Sequence, residues 1–206
     1  MTGTANLLIN ISFALLPLLF IFFCSKDFSL QSTKLRLGIV CSISIVLCML
    51  YPFHILPGYI LDLRTIPLFI AILYGGYFSG VISTLILYLF RFYLGGEGVW
   101  NVLIVYTSIV ILLFLLVSHF QVWSKFQKIV SITSIALATS ILMVINTNFR
   151  EGLPLDVFGT ICLYILLHGL VSFLSIYTIE KGSGKNTKKP YLTRYKPDYP
   201  MPVLEK

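Results

Sequence analysis

Asp62 and Arg64 stand one residue apart directly ahead of an apolar run; Arg91 closes that run, and Glu97 follows it. An unpaired charge in hydrocarbon costs several kcal/mol, so charges at the ends of apolar segments are retained for a purpose. Arginine suits that setting because its guanidinium keeps its charge and offers a planar fork to a carboxylate or phosphate. Two arrangements fit these residues. They form ion pairs that close the mouth of a helix bundle, or they form a pocket in which Arg64 or Arg91 meets the anionic group of a small ligand or peptide. Asn146, Asn148 and Arg150 make a further polar set that the same geometry brings to the same face. Six glycines punctuate the region: Gly75, Gly76 and Gly80 inside the apolar run, and Gly95, Gly96 and Gly98 after Arg91. A glycine lets the backbone turn or lets another helix approach closely.

The other reactive side chains point away from catalysis. His54, His119 and His168 are scattered at no metal-binding spacing, and His168, within an apolar segment, reads as a hydrogen-bonded packing residue. The sequence has no His-Glu-x-x-His, no phosphate-binding glycine loop and no zinc spacing. Cys24, Cys41, Cys48 and Cys162 show no Cys-x-x-Cys spacing and read as small hydrophobes. The expectation is a protein that is not an enzyme and uses neither cofactor nor metal.

Elements that position such charges must be membrane helices. Hydrophobic residues make up 57% of the 206 and charged residues 11%, with mean hydropathy +0.92, against roughly 25% charged residues in an ordinary soluble domain. A span needs roughly 17 to 25 apolar residues, which picks out residues 7–24, 37–53, 101–118, 129–146 and 157–179. The stretch 66–94 is too long for one upright span, since about 1.5 Å per residue gives a helix near 43 Å against a hydrocarbon core of roughly 30 Å. Two short spanning helices joined at Gly75-Gly76-Tyr77-Phe78-Ser79-Gly80 resolve the excess. The fold class expected is therefore an all-α integral membrane protein, a polytopic bundle of six to seven transmembrane helices with a glycine-turn hairpin over residues 66–94. Thr65 and Pro67 suit the start of the hairpin's first helix, Thr as a cap and Pro in the first turn. Gly38-x-x-x-Ser42 offers a seat for a neighbouring helix.

The formal charge of +7 is concentrated in three places. Residues 25–36 and 119–128 each carry net +2, and residues 180–206 carry net +4. Excess Lys and Arg mark cytoplasmic loops, so the charge is a topology signal and not a nucleic-acid signal. With the hairpin, seven crossings from an outer N-terminus put all three basic segments inside, leaving 51–65, 95–100 and 146–156 outside. The expected setting is a bacterial plasma membrane, multi-pass, with the C-terminus cytoplasmic. Trp100, Trp123, Tyr51 and Tyr106 fall near the expected borders, where amphipathic rings sit at headgroup depth. Three regions follow: an anchor helix with its basic loop over 1–36, a transmembrane domain over 37–180, and a disordered tail over 181–206 rich in Lys, Pro, Tyr, Gly and Ser. The lipid bilayer is the first partner, and basic residues of the tail suit anionic lipid.

Asp62-Leu-Arg64, Pro67, Tyr74-Gly-Gly76, Gly80, Arg91 and Gly95-Gly-Glu-Gly98 resemble the five-transmembrane receptor region of LytS-type sensor histidine kinases, also found in sporulation kinase B-like sensors. The similarity runs over about residues 35–180. It implies a region that perceives an envelope or membrane-potential signal and passes it to a cytoplasmic kinase, with links to cell-wall metabolism or sporulation. This sequence carries no phosphoacceptor box and no ATP-binding boxes, so the resemblance implies a receptor that works with a separate histidine kinase or another membrane signalling protein, or a severed sensor half. It also implies homodimerisation, here limited to a weak membrane dimer. The segment Leu61-Asp-Leu-Arg-Thr-Ile-Pro67 with its glycine turn is similar as well to the substrate-binding S components of energy-coupling-factor vitamin transporters. On that reading Asp62, Arg64, Arg91 and Asn146 line a closed solute pocket with aromatic walls.

Overall fold

The computed structural model describes residues 3–24, 31–56, 59–96, 98–152 and 157–183. Glu97, residues 25–30 of the basic segment at 25–36 and the tail beyond 183 lie outside them. Among the described residues eight helices and one short hairpin follow in order: α1 Gly3–Ala14, α2 Leu16–Cys24, α3 Gln31–Leu50, β1 Phe53–Leu56, β2 Tyr59–Leu61, α4 Thr65–Leu73, α5 Gly76–Leu94, α6 Gly98–Phe120, α7 Lys125–Glu151 and α8 Phe158–Ser183. Among the described residues six segments are long and apolar enough to cross a membrane, with α1 and α2 sharing the span Asn6–Phe23. Their outer faces carry exposed Leu, Ile, Val and Phe, as hydrocarbon demands of a bundle surface.

The break between α1 and α2 has a local cause. Pro17 has no N–H to give to the carbonyl four residues back, and the chain turns at Leu15. The carbonyl released, that of Phe13, accepts from the Ser44 hydroxyl of α3 at 2.6 Å. A neighbouring hydroxyl thus satisfies a proline break inside the membrane.

The hairpin expected over 66–94 forms, but asymmetrically. Its second half, α5, is a full span. Its first half, α4, has nine residues, about 13 Å of helix, too short to cross alone. All nine are buried. The antiparallel β1–β2 pair, with Phe53 opposite Leu61 and His54 opposite Ile60, and the buried residues 62–64 precede α4. Instead of two thin spanning helices, one arm of the hairpin is a short buried helix preceded by irregular chain. Non-helical backbone is tolerated at membrane depth only where protein surrounds it, and here α1, α3, α6 and α8 do so.

The glycines divide the labour of the turn. Gly76 has φ +82°, a conformation that a side chain would strain, and it reverses the chain between α4 and α5. Gly80 lets α5 press on α4, for a Cβ there would meet Ile72 Cγ1 at 2.9 Å and Phe114 Cε1 at 3.0 Å. Gly95 and Gly96, both at positive φ, make the turn from α5 into α6. Gly38-x-x-x-Ser42 is an internal seam: Gly38 faces Ser79 of α5, Ser42 and Ser83 share a hydrogen bond of 3.1 Å, and Ser79 donates to the Lys34 carbonyl at 2.7 Å. Ser124 and Gln127 form a capping box that starts α7.

The ends of the bundle differ in charge. Lys34, Lys125, Lys128 and Glu180 gather at the end that holds the glycine turn, while Arg91, Asn101 and Asn146 lie toward the other.

Candidate functional site

Residues 62–64 lie in the bundle interior ahead of α4, Arg64 already with helical φ and ψ of −57° and −21°, and their backbone groups are taken up one by one. The Asn10 side chain of α1 accepts from the Leu63 N–H at 2.9 Å and donates to the carbonyls of Cys48 (2.8 Å) and Tyr51 (3.0 Å). Tyr164 of α8 donates its hydroxyl to the Asp62 carbonyl at 3.2 Å. Asp62 Oδ1 accepts from the Arg64 N–H at 3.1 Å. The carbonyls of Leu63 and Arg64 accept from Ile66 and Leu68, the first turn of α4. This accounting lets the helix begin inside the bundle, with a carboxylate near its N-terminus, where the helix dipole favours it.

Asp62 and Arg64 then form the central ion pair. Arg64 Nε lies 2.7 Å from Asp62 Oδ1, and the two side chains are 1% and 0% exposed. One guanidinium nitrogen of Arg64 donates to Met49 Sδ at 2.9 Å, and its carbon lies 5.5 Å from the centre of the Tyr106 ring. Asp62 Oδ2 has no hydrogen-bond partner among the described residues. Arg91, one turn from the end of α5, is 3% exposed and interacts electrostatically with both Asp62 and Arg64. Beneath the pair, Thr65 and His168 share a hydrogen bond, and the His168 ring lies 5.6 Å from that of Tyr164. Tyr164 and Tyr106 are six and eight residues into their helices, so the cluster lies about 9 to 12 Å inside the end of the bundle.

Several expectations are corrected. Residues 62–65 do not belong to an outer loop: Asp62, Leu63, Arg64 and Thr65 are all buried, because only there are the backbone partners just described. Thr65 does not cap α4; Arg64 holds that position, and the Thr65 hydroxyl serves His168. Tyr106 is not a headgroup-level ring, being 2% exposed beneath Arg64. At the end of α7, Asn146 turns to α6 and not to the ion pair. Asn146 donates to Asn101 Oδ1 at 2.9 Å and Asn101 donates to Thr147 at 2.8 Å, which ties α7 to α6. Asn148 is exposed, and the Arg150 side chain lies outside the described residues. Of the candidate charges, Asp62, Arg64 and Arg91 come together. His168 proves to be the hydrogen-bonded packing residue expected.

Asn10, Tyr106 and Tyr164 were not anticipated as parts of the site. Asn10 is the one with a usable signal, a lone amide inside an apolar span. Tyr164 stands four residues before His168 and so shares its helix face. A second cluster, at the basic end, was missed altogether. Glu180 is 5% exposed, accepts from the Tyr74 hydroxyl at 2.8 Å and pairs with Lys128 at 3.6 Å. Lys125 donates to the Glu180 carbonyl at 2.8 Å.

Fold and site together define a multi-pass helical membrane protein that keeps an ion pair and a second arginine inside its bundle, at the start of a short buried helix. The family profile of the 5TM receptor, 5TMR of 5TMR-LYT, matches residues 11–181. The chain belongs to that family, the 5TM receptor of LytS-type kinases. The match begins in α1, ahead of the quoted motifs. No curated protein and no solved structure matches the chain.

Proposed function

We propose that this chain is the signal-reception module of a two-component phosphorelay of the cell-wall or sporulation type, held in a bacterial plasma membrane with its basic end in the cytoplasm. The observation that carries this reading is the ion pair itself: Asp62 and Arg64 are buried with Arg91 beside them, a net positive set of charges on a crossing whose helix starts inside the bundle. Family membership supports the receptor role, and the clustering of Lys34, Lys125 and Lys128 at one end supports the orientation.

The stimulus acts on the charges. An anionic ligand group that competes with Asp62 for Arg64 or Arg91, or a field that displaces them, favours a second packing of the cluster. Such a stimulus shifts the equilibrium only by its differential interaction with the two packings. With Arg64 1% exposed, a ligand gains entry only as the pair parts, which makes occupancy and rearrangement one event. The transporter-module reading calls for a preformed aromatic-walled pocket, whereas Tyr106 packs directly against Arg64 here.

The test grafts a histidine-kinase catalytic region after Ser183 and measures autophosphorylation in membrane vesicles. Charge reversal, Arg91→Glu, and the milder Arg64→Lys are each expected to change the output. Unchanged output from both variants, with normal expression, refutes the reading.

A further inference from the structure

We propose that α4 is a strut that carries the state of the Asp62–Arg64 pair to the last turn of α8, and that the Tyr74–Glu180 hydrogen bond is the joint where the movement is delivered. This rests on the signal-reception reading and names the route within it.

The strut is fixed to α8 at both ends. Its first residue, Thr65, is hydrogen-bonded to His168, and Tyr74, the residue that caps its far end, donates to Glu180. Twelve residues of α8, about 18 Å, separate those two attachments. Between them Ser175 donates its hydroxyl to the Val171 carbonyl of its own helix. The start of α4 is continuous with the ion pair, whose Arg64 is the residue capping the helix. A short, fully buried helix is stiff and moves as a body, so displacement at Arg64 reappears at Tyr74.

The far end is built to receive it. The Tyr74 ring packs edge-on against Phe120, and Gln121 donates to the Leu73 carbonyl at 3.2 Å, so the α6–α7 corner also registers the tip of α4. Glu180 gathers Tyr74 from α4 and Lys128 from α7, and Lys125 holds its carbonyl. One carboxylate therefore joins the strut, the start of α7 and the end of α8. Without the Tyr74 hydroxyl, the end of α8 remains attached to α7 through the two lysines but no longer feels α4. That separation makes the joint testable.

The experiment uses the full chain in phospholipid nanodiscs and hydrogen exchange read by mass spectrometry over residues 176–183, for the native chain, Arg64→Lys, Tyr74→Phe and the double variant. Arg64→Lys keeps the charge but loses the fork, and Arg64→Met replaces it if the lysine variant does not fold. The expected result is exchange at 176–183 faster by about tenfold in either single variant, with the double no faster than the larger single. Glu180→Gln keeps an acceptor for Tyr74 and is expected to keep the response to Arg64→Lys. Exchange at 176–183 that ignores the change at residue 64, or single effects that multiply in the double, overturns the strut. The kinase graft is a separate readout. Output insensitive to Arg91→Glu and Arg64→Lys removes the receptor reading while the exchange coupling stands, and output sensitive to them without exchange coupling removes the strut alone.

Discussion

Removing Asp62 should harm the fold more than removing the arginine it pairs with. Asp62→Ala takes away the acceptor of both the Arg64 N–H and Nε, and leaves Arg64 and Arg91 as two buried like charges. Breaking a buried pair from one side typically costs about 3–5 kcal/mol, and the upper half of that range fits because two cations remain. Arg64→Met leaves Asp62 facing Arg91, an opposite charge, and a side chain of similar reach beside Met49 and Tyr106, so about 1–3 kcal/mol is expected. The double variant Asp62→Ala/Arg64→Met should then be more stable than Asp62→Ala alone, by about 1–2 kcal/mol, since the second change removes the like-charge repulsion. The assay is equilibrium unfolding of the full chain in mixed micelles titrated with denaturing detergent, followed by circular dichroism. Single costs below about 1 kcal/mol that simply add in the double would mean that the pair is solvated, as surface ion pairs are, and would refute the buried arrangement.

Asn10→Ala should cost about 2–4 kcal/mol in the same titration, because it orphans the Leu63 N–H and the carbonyls of Cys48 and Tyr51 together. A neutral result would mean that water reaches the 62–64 segment. Gly80→Ala should cost about 1–3 kcal/mol, since its Cβ would lie 2.9 Å from Ile72 and 3.0 Å from Phe114. It should also loosen the contact of α4 with α5, read as faster hydrogen exchange at residues 68–73.

How much of this was legible in advance follows from the kind of interaction that decides each feature. Hydropathy alone picked out the spans because lipid permits few structures; an apolar run of sufficient length must become a helix. The glycine turn was equally visible, for a break in a run too long to span has to fall where the backbone is free to reverse, and Gly76 does so. Asp62, Arg64 and Arg91 were picked out as a set because charges in an apolar context are costly wherever they lie. Their depth was not legible. The sequence 62–65 reads as a loop ahead of a helix, and its burial depends on Asn10, more than fifty residues earlier, and on Tyr164, about a hundred later.

Composition and pattern thus determined that this chain is a polytopic helical membrane protein with a glycine-turn hairpin and a small set of consequential charges. They also carried the family's motifs. Tertiary structure alone decided that α4 is a short buried helix, that Arg91 lies within electrostatic range of the ion pair while Asn146 turns to Asn101, and that Glu180 meets Tyr74. The physical reason is range. Partition into lipid is a property of each segment, summed locally along the chain, whereas the partner of a buried polar group is fixed by which helices pack together.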